Sequence, residues 1–153
     1  VHSEFSEIEI KYDFITAFHV FEHLNDPIDV LRELSKLLDL KGEIIIEIPN
    51  SNDALIELYA CKKFKDFTYW SQHLFLYNES TIKRLIKKAN MKINWIEHIQ
   101  RYPLENHLHW LQSGKPGGHE ISNIKFPDKI KKSYENFLKE TKLTDTIIFG
   151  IGN

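Results

Sequence analysis

A single cysteine, Cys61, stands in the 153 residues, so no internal disulfide can form and no CxxC or zinc-ribbon arrangement exists. That usage fits a reducing compartment, and a cytoplasmic location is the expectation. No apolar run approaches the roughly 18 residues needed to span a bilayer. The opening Val1-His2-Ser3-Glu4 has no basic segment leading into an apolar one, so no secretory signal is read there. Excess charge is missing too: a formal net charge of -2, with lysines spread among acidic residues, gives no footprint for a nucleic-acid backbone or an anionic membrane. Internal repeats and low-complexity tracts are absent.

What is present has the makings of one soluble domain. Hydrophobic residues make up 42% and charged residues 27%, near the average for globular proteins. The length suits one compact core and is short for two.

Local patterns alternate between strand and helix. Tyr12 to Phe18 is a short aromatic and β-branched run, predicted as a buried strand covered on both faces. Asp26-Pro27 supplies an N-cap and a first-turn proline, and Ile28, Leu31, Leu34, Leu37 and Leu38 recur at helical spacing up to Gly42. Glu43 to Ile48 is a second strand, ended by Pro49-Asn50. Strand, helix, strand in this order predicts a right-handed crossover between parallel strands.

Beyond it, Ala54 to Tyr59 reads as a short helix and the aromatic stretch Phe64 to Tyr77 as a lid or wall. A helix is predicted from Asn78 or Ser80 to Ala89, with Asn90 in a left-handed ending conformation. Strands follow at Ile93 to Gln100 and Thr146 to Ile151. Between them lie predicted helices at Leu104 to Gln112 and Asp128 to Lys139, joined by a loop from Ser113 to His119.

His19 and His23 fall just past the carboxyl end of the first strand, where ligands bind in open α/β sheets. Histidine suits proton transfer near neutral pH. The pattern His19-x-x-Glu22-His23 is also that of the inverted zincins, which need both histidines on one helical face. Here the motif abuts a strand and runs at once into Asn25-Asp26-Pro27. Zinc proteolysis is therefore the weaker reading, and no metal ligands are assigned.

The ordered set of phrases resembles class I S-adenosylmethionine-dependent methyltransferases of the ubiquinone-biosynthesis-like group. Asp13 to Leu24, containing His19-Val20-Phe21-Glu22-His23-Leu24, is similar to the end of that family's fourth strand and the loop after it. Asp26 to Gly42 corresponds to the next helix and turn, although Leu40-Lys41-Gly42-Glu43 lacks the family's proline. Ile48-Pro49-Asn50, His73 ahead of Asn78, Ala89-Asn90-Met91 and the terminal Asp145 to Gly152 continue the match. The likeness covers about residues 8 to 100 and 145 to 153.

The resemblance implies the C-terminal half of a Rossmann-like α/β sheet. Its strand order in family numbering is 4-5-7-6, the last strand antiparallel, with helices on both faces. Residues 1–153 form a single partial domain, with 102–144 an inserted helical segment for the substrate. The family's first strand, its glycine-rich loop and the acidic end of its second strand are not found. Gly114 to Gly118 is no substitute, because it neither follows a strand nor opens a convincing helix.

The implied cofactor is S-adenosylmethionine. Phe18, His19 and Glu22 are expected beside it, and His19, His23 and His73 as catalytic candidates. Asn50, Trp70 and Tyr77 are expected to meet the substrate, a small-molecule methyl acceptor such as a sugar or quinone precursor. His107, His109 and Trp110, on the inserted segment, are explained as well by packing and are not assigned. Without the glycine loop the isolated chain is expected to be inactive, and the edge of the Tyr12 strand is expected to pair with a second copy. A non-catalytic, methyltransferase-like binding module is the alternative.

Overall fold

The computed structural model describes residues 10–70, 72–121 and 125–153; the segment opening at Val1 and Ser71 lie outside them. The elements in chain order are β1 (Tyr12–Phe18), a single 3-10 turn (Phe21–His23), α1 (Pro27–Leu37) and β2 (Leu38–Pro49). There follow α2 (Ala54–Glu57), α3 (Lys62–Thr68), α4 (Glu79–Lys88), β3 (Lys92–Ile99), α5 (Leu104–Ser113), α6 (Gly118–Ile121), α7 (Asp128–Thr141) and β4 (Thr146–Gly152). No helix among the described residues is long and apolar enough to cross a membrane.

The four strands form one sheet in the order β1-β2-β4-β3. β1 and β2 run parallel, with Ile15 opposite Ile44 and Phe18 opposite Glu47. β4 inserts antiparallel between β2 and β3, as expected.

Helix boundaries follow local chemistry. The Asp26 side chain accepts from the Asp29 amide at 3.0 Å and Pro27 occupies the first turn, so α1 starts where predicted. It ends four residues earlier than Gly42 implies, because Leu38 is already extended and pairs with Tyr12. Gly42 belongs instead to an irregularity in that strand pair, where a Cβ would lie 2.7 Å from the Tyr12 carbonyl oxygen. α4 opens with a reciprocal capping box between Asn78 and Thr81, and Asn90 takes φ +59° beyond its end.

The core lies on one face of the sheet. Leu31 and Leu34 of α1 and Ile82, Leu85 and Ile86 of α4 pack on Ile44, Ile46, Ile48, Ile147, Phe149 and Ile151. Glu43, Ile45 and Glu47 of β2, which alternate with these isoleucines, are only half-buried. On β1, Ile15 and Ala17 turn to the core while Phe14 and Phe18 are 66% and 53% exposed. The cover expected on both faces is thus seen on one among the described residues. Among the described residues β1 is an edge strand, not a buried one.

Two further boundaries differ from expectation. The aromatic stretch read as irregular contains α3, and the loop after Ser113 contains α6. Trp110 of α5 meets the rings of Phe64 and Phe67 edge-on and tilted, with centroids 5.1 and 5.2 Å away. Tertiary packing on Trp110, not a periodic apolar stripe, stabilises α3.

Candidate functional site

The parallel pair determines where the site sits. The His19 amide donates to the Glu47 carbonyl at 2.9 Å, carrying the β1–β2 ladder one residue past the strand. At φ +53° His19 then turns the chain sharply into the 3-10 turn, a left-handed conformation that costs a non-glycine residue roughly 1–2 kcal/mol. Phe21 and Glu22 are buried beneath the turn, which holds the imidazole of His19 at the carboxyl end of the sheet.

That imidazole is bracketed by acids. Its Nε2 lies 3.0 Å from Oε1 of Glu47 and its Nδ1 3.3 Å from Oε1 of Glu22. The Arg101 guanidinium, just past β3, contacts both the His19 ring and Glu47, the latter at 3.1 Å. A cation, an imidazole and two carboxylates therefore meet where three strands end.

A cavity of about 230 Å³ opens beside this group. Pro49, Asn50, Asp145 and Thr146 line it beside the strand ends, together with Phe64, Phe67, Thr68 and His73 and with Arg101, Tyr102, His107 and Trp110. Residues 102–117 thus supply part of the lining, and Asp145 ties down the start of that stretch. The Asp145 carboxylate accepts from the amides of Arg101 and Tyr102 at 2.9–3.1 Å and from Gln100 Nε2 at 2.9 Å. Burial raises its pKa even so, against those donors.

Three of the predicted site residues, His19, Asn50 and His73, line the cavity. Asn50 is buried and its amide is committed: Nδ2 donates to the carbonyls of Lys142 and Thr144, and Oδ1 accepts from the Asn52 amide. It is a strut joining β2 to the chain ahead of β4, with both Nδ2 protons engaged and one lone pair of Oδ1 still able to accept. Phe18, the last residue of β1, is exposed and does not line the cavity. Tyr77 belongs to the hydrophobic core, and burial, with the Glu22 carboxylate nearby, pushes its phenol up to about 12. Trp70 is half-exposed and packs edge-on against His73, with centroids 5.7 Å apart. His23 does not line the cavity; it lines an open cleft with Gln72 and Leu74, its ring 5.0 Å from that of His73.

Other cavity residues carry chemistry to which the sequence reading assigned no role. Asp53 caps α2 through the Leu55 amide at 2.6 Å, and burial pushes its pKa up to about 7. His107 is fully buried; its Nδ1 contacts the Tyr134 hydroxyl at 2.7 Å, and desolvation brings its pKa down to about 4. Asp53 was hidden because Pro-Asn-Ser-Asn-Asp reads as ordinary turn chemistry. Arg101 and Asp145 reach the site only through the β3–β4 pairing.

The zincin reading needs His19 and His23 on one α-helical face. The left-handed residue at 19 and the single 3-10 turn at 21–23 rule out that arrangement.

Comparison with known proteins agrees with this geometry. A search of curated sequences gives no match. Among solved structures, the methyltransferase bound to the Trm112 methyltransferase activator of Haloferax volcanii superposes with a TM-score of 0.56 at 10% identity, over 97% of this chain and 57% of that one. An S-adenosylmethionine-dependent methyltransferase from Thermotoga maritima gives 0.53 at 16% identity, over 97% and 60%. The mitomycin 7-O-methyltransferase MmcR gives 0.54 at 12%, over 97% and 32%. The chain therefore spans about 60% or less of the length of these relatives. A family model described as a methyltransferase domain matches residues 2–95, and with the parallel pair, the antiparallel last strand and the rim at His19 this places the chain in the methyltransferase domain family.

Proposed function

We propose that this chain forms the acceptor side of an S-adenosylmethionine-dependent methyltransferase, whose substrate is a small molecule carrying a nucleophilic oxygen, nitrogen or carbon. One observation carries the reading: the cavity at the carboxyl ends of β1 and β2, with His19 and His73 on its wall and aromatic rings around it. Parallel sheets bind ligands at that end, and the size suits a small acceptor better than a polymer.

The rim fits a sulfonium donor in its charge. Glu22 and Glu47 place two carboxylates beside His19 and the Arg101 guanidinium offsets one of them, so a cationic group near Phe18 and His19 still meets a net negative charge. Phe18, His19 and Glu22 would hold the methionine part of S-adenosylmethionine, which when bound supplies an electrophilic methyl group. The remaining work belongs to the chain: Phe64, Phe67 and Trp110 orient an acceptor and exclude water, which aligns the nucleophile for in-line attack.

His19 and His73 are the proton acceptors in reach of an acceptor in this cavity. Glu22 and Glu47 contact the two ring nitrogens of His19 at 3.3 and 3.0 Å, and the Thr68 carbonyl at 2.7 Å fixes the His73 ring through Nδ1. Residues 1–153 contain no glycine-rich loop after a strand, so by themselves they are expected to lack tight donor binding.

The test is calorimetry with S-adenosylhomocysteine, the product of the donor, on residues 1–153 and on the full-length gene product. Binding by the full-length product, with labelled methyl transfer to a panel of small hydroxyl, amine and carbon-acid acceptors, supports the proposal. A full-length product that neither binds nor transfers favours a non-catalytic binding module and overturns it.

A further inference from the structure

Glu22, His23 and His73 each offer one ligand atom, and those atoms lie within 4.8 Å of one another. They come from two segments pinned together: the amides of Leu74 and Phe75 donate to the Glu22 carbonyl at 2.8 and 3.2 Å. The cluster is therefore set by backbone hydrogen bonds and not by side chains drifting together.

The imidazoles are oriented in the way that metal-binding histidines are. Nδ1 of His23 lies 2.8 Å from the Gln72 carbonyl oxygen, and Nδ1 of His73 lies 2.7 Å from that of Thr68. A carbonyl only accepts, so each Nδ1 carries the proton and the Nε2 of a neutral ring keeps its lone pair.

The carboxylate completes the set. Glu22 is 1% exposed, and its Oε2 makes no hydrogen bond. An ionised oxygen buried without a donor is costly, and a coordinated cation removes that cost. Oε1 is shared, at 3.3 Å from His19 Nδ1 and 3.9 Å from His23 Nε2. An ion can enter by the open cleft that His23 lines with Gln72 and Leu74.

We infer that Glu22, His23 and His73 bind a divalent transition-metal cation of the zinc class. Two imidazoles and one carboxylate suit zinc, iron(II), nickel or copper and are a poor set for magnesium or calcium. Three protein ligands leave coordination positions open; His73 also lines the main cavity, and with its Nε2 on a metal it no longer accepts a proton, which leaves that role to His19. The ligands differ from the His19-x-x-Glu22-His23 motif, since His73, 49 positions after Leu24 in the chain, takes the place of His19.

The site is tested on tag-free, chelator-stripped residues 1–153 by titration with Zn²⁺ in a calorimeter and with Co²⁺ followed by its visible d–d absorption. One equivalent of bound metal is expected, with His73→Ala and His23→Ala each weakening binding at least about 100-fold, the upper end of what losing a supporting group costs. His109→Ala, on α5, is expected to leave it unchanged. Glu22→Gln serves as a third variant where circular dichroism shows it folded; the histidine variants decide without it. Failure of the wild type to bind one equivalent, or binding that persists in His73→Ala, overturns the assignment. Neither outcome depends on methyl transfer, so the two proposals fail separately.

Discussion

His19 and Glu47 face each other across the ends of two parallel strands, Nε2 to Oε1 at 3.0 Å, while the backbone amide of the same histidine donates to the backbone carbonyl of the same glutamate at 2.9 Å. One residue pair thus both extends the ladder and sets the ring. Loss of the imidazole in His19→Gln is expected to lower methyl transfer by the full-length protein about 10²–10⁴-fold, the range of general-base catalysis. Glu47→Gln should cost less, because it removes a partner and leaves the base. Equal rates for wild type and His19→Gln in a labelled-methyl assay would remove His19 from the mechanism.

The left-handed backbone at residue 19 makes a separate, structural prediction. Glycine takes φ +53° without steric cost, whereas alanine does not. His19→Gly is expected to be about 1 kcal/mol more stable than His19→Ala in urea denaturation. The reverse order would mean that the turn relaxes when the imidazole is removed.

Gly150 of β4 lies under the indole of Trp95. A Cβ there would come within 2.3 Å of Trp95 Nε1 and 2.5 Å of Glu43 Oε1, two atoms hydrogen-bonded to each other at 3.0 Å. Gly150→Ala must therefore displace the indole and break that bond, at about 1–3 kcal/mol. Denaturation of Trp95→Leu and of the double variant checks the mechanism: the cost of the alanine should shrink once the indole is gone.

The sheet was legible from the chain because its signals are local. Buried β-branched runs, Asp26-Pro27 and the Asn78 cap each act within a few residues, so strand identity and the starts of α1 and α4 follow directly. The ends were harder. Leucines at 37 and 38 continue the helical spacing, yet Leu38 is taken by pairing with Tyr12, a contact 26 residues away. The site divides in the same manner: His19 and His73 are signalled by position, whereas Arg101, Asp53 and Asp145 enter through strand order. Tyr77 was read as acceptor wall because aromatic content alone does not say which face of the sheet a ring joins.

β1, paired on one side with β2 and an edge strand among the described residues, presents Phe14 and Phe18 at 66% and 53% exposure. Edge strands with apolar faces pair with other chains. Residues 1–153 are therefore expected to associate with a second copy, and Phe14→Lys to shift the population toward monomer in light scattering. A monomer throughout at tens of micromolar, within the micromolar-to-millimolar range in which such edges cause association, would count against pairing through this edge.

Asp53 and His107 make opposite contributions to stability over the same pH range. Burial raises the Asp53 carboxyl from 3.8 to about 7, so between those values the native state holds a proton that the unfolded state has lost. Stability then falls as pH rises, by at most about 4 kcal/mol if nothing compensates. Burial lowers the His107 imidazole from 6.5 to about 4, so in that interval the unfolded state holds the extra proton and stability rises with pH. Asp145, raised by burial, acts with Asp53; His98, lowered chiefly by burial, acts with His107. Glu79, held down to about 2 chiefly by Lys142 and Lys83, matters only in more acidic solution. The wild type is accordingly expected to show a shallow profile from about pH 4.5 to 6.5, where the opposing slopes overlap. Asp53→Asn keeps a side-chain oxygen for the Leu55 amide and removes the falling component, so its stability should climb with pH relative to wild type. His107→Gln should do the reverse. Urea midpoints for the three proteins across that range decide the matter, and parallel profiles would show that neither group titrates as its burial dictates.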